Sequence, residues 1–254
     1  YAPDNFHKAQ CIINSAGWDT DCNAANVGSV MGIKVGLDRI NEEYEFQRPF
    51  GDRLIIPTAE GTRSVSDVAN EALHLSSIDR NIAKMPPLEW PKNGALYHFE
   101  MPGSQHGFLV EEHAFSARGT TRVENTVLPH DAAERGLRIT FEDLKKGREC
   151  RVSTPIIPTG PGAVYGSAQQ IQAVPRIFPG NEVIIRGTTS DNLTGPAMLR
   201  VFLRRSGDLD MTYSESLSLT PGGSNEVSFV VPDVAWPVQD IGIEISGQRA
   251  SGAW

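Results

Sequence analysis

The second part of the chain alternates apolar and polar residues with a period of two. The alternating apolar positions are Leu137, Ile139, Phe141, Leu199, Val201, Leu203, Val227, Phe229, Val231, Ile241, Ile243 and Ile245. Turn-forming segments such as FPGN and TPGGSN separate these runs. Because alternation sends every second side chain to one face of a strand, the pattern predicts an antiparallel β-sandwich with one face of each sheet buried.

The first 86 residues repeat their apolar positions at helical spacing instead. A short helix is predicted over residues 7–16 and a second over residues 19–37. In the second helix Gly28, Gly32 and Gly36 lie four residues apart. Each Gly costs a helix about 1 kcal/mol relative to Ala, so this spacing indicates a face that lies close to another helix.

A third helix is predicted to begin in the segment Ser64–Asp67, where a hydroxyl can cap the first turn and an acid favours it. Its apolar stripe is expected to comprise Val65, Val68, Ala72, Leu75, Ile78 and Ile82. Pro86, Pro87 and Pro91 then interrupt the helical pattern.

The two periodicities divide the chain. They predict an α+β fold with two segregated domains: an all-α domain over residues 1–86, a Pro-rich linker over residues 87–92, and an antiparallel β-sandwich or jelly roll over residues 93–254.

Charge and composition narrow the function classes. The net charge of the 254-residue chain is −8 and its basic residues are scattered, which predicts no nucleic-acid partner and no anionic membrane surface. Three cysteines, Cys11, Cys22 and Cys150, are too few for a disulfide scaffold and favour a reducing compartment such as the cytoplasm.

The segment AGWDTDCNAANVG holds two carboxylates, Asp19 and Asp21, at a loop-to-helix junction. An EF-hand loop is excluded because Ala24 and Val30 stand where that loop needs Gly and Glu. Two interpretations remain. The acids either cap a helix and interact with its dipole, or they bind a hard cation such as Mg²⁺.

The wider stretch GWDTDCNAANVGSVMGIKVG, residues 17–36, resembles the C-terminal signature of the ADP-ribosylglycohydrolase family. The segment RPFGDRLIIPTAEGTRSVSDVANEAL is similar to the next segment in larger members of that family. The resemblance implies an all-α fold that holds two Mg²⁺ ions and cleaves the glycosidic bond of an ADP-ribosyl group. Asp19 and Asp21 then match the metal-binding and catalytic acids, and Cys22 stands at a ligand position usually held by Thr or Ser. Gly17 and Trp18 lie on the substrate side, where Trp18 either covers the substrate or simply packs.

One departure from that family concerns the other half of its metal site, which contains paired aspartates. No Asp-Asp pair occurs in the chain. We therefore expect this chain to carry half of the metal site and to be a piece of a longer catalytic domain followed by an accessory module.

The β half resembles the galactose-binding-like jelly-roll modules of carbohydrate-active enzymes, on segments such as ALYHFEMPGSQHGF and SFVVPDVAWPVQDIGIEISG. This implies a glycan partner, for which Trp236, Tyr213 and Tyr165 are the candidate aromatic residues, although packing in the core or at an interface is the more common role of such residues.

Other polar residues are predicted to have no site role. His98, His106 and His113 have no matching acid cluster in the sequence and are expected at ordinary surface or sheet positions. The adjacent acids Glu42-Glu43 and Glu111-Glu112 are expected to be solvated.

The sequence supports two hypotheses about function. The first is a Mg²⁺-dependent hydrolase of the ADP-ribosylglycohydrolase type, acting on a small-molecule or protein-linked ADP-ribosyl substrate. The alternative is a non-catalytic carbohydrate-binding or assembly protein with a degenerate helical domain.

Overall fold

A computed structural model of the 254-residue chain shows helices followed by an antiparallel β-sandwich, which confirms the predicted fold class. The described residues are 1–46, 49–56, 60–111, 120–129, 131–158, 174–207, 209–234 and 237–254. The chain forms two compact units, Tyr1–Phe50 and Gly51–Trp254. We call them the helical unit and the sandwich unit.

The helical unit contains α1 (Phe6–Asn14), α2 (Thr20–Val35) and the short α3 (Leu37–Ile40). Asn5 caps α1, because its side-chain oxygen accepts a hydrogen bond from the backbone N–H of Lys8 at 2.6 Å. The first two predicted helices are therefore present, with ends shifted by one or two residues.

The glycine face of α2 is explained at two of its three positions. A Cβ at Gly28 would lie 2.7 Å from Nε2 of Gln10 on α1, and that amide donates to the carbonyl of Ala24 at 3.1 Å. Gly36 ends the helix with φ of +79°, a conformation that disfavours other residues.

The sandwich unit begins with the hairpin β1 (Arg53–Ile55) and β2 (Val65–Asp67), which flanks a short 3₁₀ turn at Gly61–Arg63, and continues into α4 (Val68–Ile82). The compact unit thus starts at Gly51, well before the predicted linker at residues 87–92. The reason is that β2 and the first turn of α4 bond to residues beyond the linker.

The members of the predicted apolar stripe that belong to α4 are exposed. The side chains that α4 buries are Ala69 and Leu73, whereas Leu75 and Ile82 are 64% and 77% exposed. Within the predicted stripe Val65 is buried, but it belongs to β2. At the start of the helix, polar bonds join Asp67 to His106 and Asn70 to the carbonyl of Leu96.

Eleven further strands build the sandwich. They are β3 (Leu109–Val110), β4 (Thr121–Leu128), β5 (Asp131–Leu144), β6 (Cys150–Pro155), β7 (Glu182–Thr188), β8 (Ala197–Arg205), β9 (Met211–Tyr213), β10 (Leu217–Leu219), β11 (Ser224–Val230), β12 (Val238–Gly247) and β13 (Ala250–Ala253). The first sheet has the order β10-β8-β12-β6-β3, with β9 also paired to β8. The second layer contains the pair β11-β7 and the sheet β13-β5-β4. All described pairings are antiparallel.

The core lies between the two layers, and the predicted alternation places its side chains there. Ile139, Phe141, Leu199, Val201 and Ile245 are fully buried. Trp254 belongs to this core, and its backbone exchanges hydrogen bonds with Ile139 at 2.6 and 3.0 Å. A Cβ at Gly187 would lie 2.4 Å from the ring of Trp254, so this glycine makes room for the indole.

Among the described residues, no helix combines the length and apolar character that a membrane crossing requires. All three cysteines are free thiols, with Cys11 and Cys22 exposed and Cys150 buried.

Candidate functional site

The predicted metal residues lie together at the start of α2. One ligand atom from each of Asp19, Asp21 and Cys22 can be chosen so that all three lie within 4.8 Å of one another, and all three residues are exposed. Asp19 has a left-handed backbone (φ 43°, ψ 50°), and its side chain caps no backbone N–H of α2. A side-chain cap is therefore not the role of Asp19, whereas Asp21 lies in the first turn of α2, where the helix dipole favours an acid.

The donor set fits Mg²⁺ incompletely. Mg²⁺ requires near-octahedral oxygen ligands, and this cluster supplies two carboxylates and a thiol. A thiol is a soft donor that suits Zn²⁺ better than Mg²⁺. The predicted pair of Mg²⁺ ions and the catalytic roles of these residues stay predictions.

The two neighbours that the resemblance assigns to substrate lie in the loop before α2. Gly17 has φ of +75°, and Trp18 is 81% exposed. The side chain of Asn23 donates to the carbonyl of Trp18 at 3.1 Å, which fixes the loop against the first turn of the helix. Their role in substrate binding stays a prediction.

A second polar site covers the outer face of the first sheet, the face turned away from the core. Alternation places two cross-strand rows there. One row pairs Arg200 and Arg151 with Glu244, and the next pairs Tyr213 with Phe202. We call this surface the outer face.

The buried carboxylate of Glu244 organises the first row. Glu244 is 1% exposed and accepts from Nε of Arg151 at 2.6 Å and from Nη2 of Arg200 at 2.6 Å. The guanidinium of Arg200 lies 3.5 Å from the ring centroid of Tyr213, and the hydroxyl of Tyr213 donates to Glu244 at 3.4 Å. Burial and the charge of Glu244 raise the pKa of Tyr213, so the phenol stays protonated at neutral pH.

A second network lies beside it, centred on Arg204. Its guanidinium reaches both carboxylate oxygens of Glu111 at 2.7 Å and Oδ2 of Asp240 at 2.9 Å. Ser153 also donates to Glu111. The expectation that Glu111 is merely solvated is therefore wrong, since the side chain is 11% exposed and paired. Glu112 lies outside the described residues.

These networks cover a buried aromatic ring. Phe202 is fully buried although it belongs to the outer face. A Cβ at Gly242 would lie 2.3 Å from the Phe202 ring, so the ring occupies the space above this glycine. The outer face is thus a packed polar layer and not an open sheet surface.

Of the three predicted sugar-binding aromatics, the structure places Tyr213 on the outer face, half-buried. Trp236 and Tyr165 lie outside the described residues. Sequence reasoning missed the arginines and acids around Tyr213. Their signal was present, because each occupies the polar position of an alternating strand.

The histidine prediction is wrong for two residues. His98 and His106 are buried, with ring centroids 4.5 Å apart, and His113 lies outside the described residues. Nδ1 of His106 lies 3.0 Å from Oδ1 of Asp67, the residue whose side chain caps α4 through the N–H of Asn70 at 2.8 Å. The acid partner was missed because Asp67 and His106 are distant in sequence.

The buried surroundings and their hydrogen bonds shift the pKa values of Asp67 and His98. Burial alone would raise the pKa of Asp67, but the hydrogen bonds and charge of His106, with the bonds from Asn70, hold it below the usual value. Burial, together with the neighbouring His106, lowers the pKa of His98 to about 4. His98 is therefore neutral at neutral pH, and its Nδ1 accepts from the N–H of Glu100 at 3.0 Å.

Comparison with known proteins gives a likeness of fold alone. No family model matches the chain, and no curated protein matches it. The resemblance of residues 17–36 to ADP-ribosylglycohydrolases therefore stays a prediction.

Among solved structures, the chain is similar to the CBM22-2 xylan-binding domain of Paenibacillus barcinonensis Xyn10C, with 14% identity over 59% of this chain and 81% of that one and a TM-score of 0.37. It is similar to a CBM28 module specific for non-crystalline cellulose, with 11% identity, coverage of 66% and 94%, and a TM-score of 0.41. A carbohydrate-binding module of the β-sandwich superfamily gives 15% identity, coverage of 63% and 58%, and a TM-score of 0.43. At these values the likeness assigns no function, and the β-sandwich is established by the strand pairing itself.

Proposed function

We propose that the sandwich unit binds a neutral glycan on its outer face. The observation that carries the proposal is the stack of Arg200 on Tyr213, fixed from below by the buried carboxylate of Glu244. A pyranose ring has an apolar face surrounded by hydroxyls. The planar guanidinium of Arg200, stacked on the Tyr213 ring, offers a flat surface to the apolar face, and the fixed charged groups match the hydroxyls.

The charges of the outer face favour a neutral ligand. Three arginines, Arg151, Arg200 and Arg204, are bonded to three acids, Glu111, Asp240 and Glu244. The positive and negative charges balance, so the face offers no excess charge to an acidic sugar. Sugar hydroxyls both donate and accept hydrogen bonds, and therefore suit a surface that presents both kinds of group.

Partial exposure leaves these groups within reach of a ligand. The side chains of Arg151 and Arg200 are 22% and 35% exposed. Because their positions are already fixed by Glu244, binding loses little side-chain entropy. A preformed site of this kind supports recognition rather than catalysis.

The test is calorimetric titration of the whole chain with neutral β-linked xylose and glucose oligosaccharides and with one uronic-acid oligosaccharide. We expect a neutral oligosaccharide to bind, and Tyr213→Ala to weaken it about tenfold, equivalent to about 1.4 kcal/mol. The matched control is Arg186→Ala, which removes an exposed arginine bonded across strands to Glu226 in the second layer and should leave binding unchanged. The proposal fails if no oligosaccharide binds, or if the two variants behave alike.

We infer a second candidate function, divalent-cation binding at Asp19, Asp21 and Cys22, from their convergence within 4.8 Å. It would support the hydrolase hypothesis for ADP-ribosyl substrates, with Mg²⁺ as the predicted ion and Zn²⁺ as the ion that the thiol favours. Titration with Mg²⁺, Mn²⁺ and Zn²⁺, each with and without ADP-ribose, tests it. Binding should be lost in Asp21→Ala and kept in Asp38→Ala, an exposed acid of α3. If no ion binds, or if both variants bind equally, the candidate is excluded.

A further inference from the structure

Three side chains of the helical unit form a line that neither proposed function uses. Nε2 of His7 lies 3.5 Å from Sγ of Cys11, and Nδ1 of the same ring lies 3.2 Å from Oε2 of Glu43. The imidazole thus stands between a thiol and a carboxylate, with one ring nitrogen directed at each.

Local structure brings the three groups together. His7 and Cys11 are four residues apart on α1, so they lie on the same face of the helix. Glu43 comes after α3 and is held by the side-chain amide of Asn5, the residue that also caps α1. The cap and the carboxylate are therefore coupled through one asparagine.

The hydrogen bonds determine which ring nitrogen carries the proton. Hydrogen bonds from Asn5 and His7 lower the pKa of Glu43, so the carboxylate is ionised at neutral pH and can only accept. In the neutral imidazole Nδ1 then donates to this carboxylate, and Nε2 is left as the acceptor for the thiol proton of Cys11. Because the two nitrogens point in diverging directions, the arrangement suits a proton relay and not a metal chelate.

Aromatic rings hold the imidazole and line the space beside the thiol. The ring of Tyr44 is stacked on His7 at 6.0 Å with planes 10° apart, and Phe46 packs against both. A shallow surface depression of about 190 Å³ lies here; its lining residues are His7, Gln10, Cys11, Asn14, Tyr44 and Phe46. An acyl chain could lie on the two aromatic rings with its carbonyl at Cys11.

We propose that Cys11 is a nucleophile that takes acyl groups from thioesters, with His7 as its general base and Glu43 as the residue that positions His7. Nucleophile, base and orienting carboxylate form the arrangement that activates thiols and hydroxyls in acyl transfer. His7 removes the thiol proton while sulfur attacks the carbonyl carbon. The carbon–sulfur bond of the donor then breaks, and its thiolate takes the proton from His7. One thioester and one thiol are consumed, and one of each is formed.

The native chain contains its own control. Cys22 is an exposed thiol of the same unit that the relay does not include. We expect S-acetyl-N-acetylcysteamine to acetylate Cys11 on the order of 100-fold faster than Cys22, the usual contribution of a general base, as measured by peptide mass spectrometry over time. Equal rates at the two cysteines would overturn the proposal.

Variants separate activation from simple exposure. Glu43→Gln should slow acetylation of Cys11 by about tenfold, leave Cys22 unchanged, and be partly rescued by Glu43→Asp. The matched control is Glu42→Gln, which alters the neighbouring acid paired with Arg39 and should have no effect. His7→Gln should lower the acetylation rate of Cys11 to that of Cys22. Circular dichroism of this variant should show that its helices are retained. If Cys11 reacts equally fast in Glu43→Gln and the parent chain, Glu43 does not position the base.

Discussion

Each compact unit contains a histidine paired with a carboxylate, and the two pairs differ in burial rather than in geometry. In the sandwich unit His106 and Asp67 are 3.0 Å apart, with side chains 0% and 3% exposed. In the helical unit His7 and Glu43 are 3.2 Å apart, with side chains 37% and 50% exposed. The distance alone does not distinguish them.

The difference lies in what remains available at the second ring nitrogen. Nε2 of His106 accepts from the backbone N–H of Phe99 at 3.1 Å, so both nitrogens are committed to the fold. Nε2 of His7 faces the exposed thiol of Cys11. The comparison indicates that the buried pair stabilises the sandwich unit, whereas the exposed pair is free to act on a proton.

The largest effect is expected from breaking the buried pair. Asp67→Ala removes the partner of His106 and the cap of α4, and loss of one member of a buried pair costs about 3–5 kcal/mol. Urea unfolding of the whole chain measures this loss of unfolding free energy. The control variant is Asp79→Ala, which changes an exposed acid of the same helix. A loss no greater than that of the control would show that the pair does not stabilise the unit.

A smaller effect is expected from acid, through His98 beside the buried pair. Its pKa is about 4 in the fold against 6.5 for an ordinary histidine. Between these values the unfolded chain binds a proton that the folded chain does not. The free energy of unfolding should therefore fall as the pH is lowered from 6.5 towards 4, by at most about 1.4 kcal/mol per pH unit.

The contribution of His98 to stability is obtained as the difference in unfolding free energy between the parent chain and a variant without this histidine. His98→Asn keeps a side-chain acceptor for the N–H of Glu100 but has no titrating ring. The difference in stability between parent and variant should shrink as the pH falls through this window, in urea unfolding at several pH values. A difference independent of pH would contradict the account. Below about pH 4 the stabilisation by Asp67 is lost as well, because its pKa is lowered in the fold.

The smallest effect on stability is expected at the exposed pair. Glu43→Gln should leave the urea midpoint of the chain unchanged, because exposed ion pairs contribute little, while it slows the reaction of Cys11. A clear drop in the urea midpoint would show that the His7–Glu43 pair stabilises the fold, as the His106–Asp67 pair is expected to do.

The sequence predicted best what depends on neighbouring residues. The alternation around Ile139 and Ile243 located the strands, and the clustering of Asp19 with Asp21 and Cys22 comes from positions within one helical turn. His7 and Cys11 are also local, being four residues apart on one helix, but their contact was not predicted.

The features that the sequence did not predict depend on contacts between distant segments. On α4 Leu73 is buried and Leu75 is exposed, and the helix is capped by Asp67, whose side chain contacts the distant His106. The polar layer over Phe202 requires the register of β8 and β12, which no single segment reveals. Hydrophobic pattern determines which face of a strand is buried, but not which polar groups meet on the other face.

The central claim is that the outer face of the sandwich unit recognises a neutral glycan, and mapping a bound oligosaccharide by amide chemical shifts tests it most directly. The account predicts that shift changes concentrate at Arg151, Arg200, Tyr213 and Glu244, the residues of the Glu244 network. Changes centred on Arg186 and Glu226 in the second layer, or no changes with any neutral oligosaccharide, would contradict it.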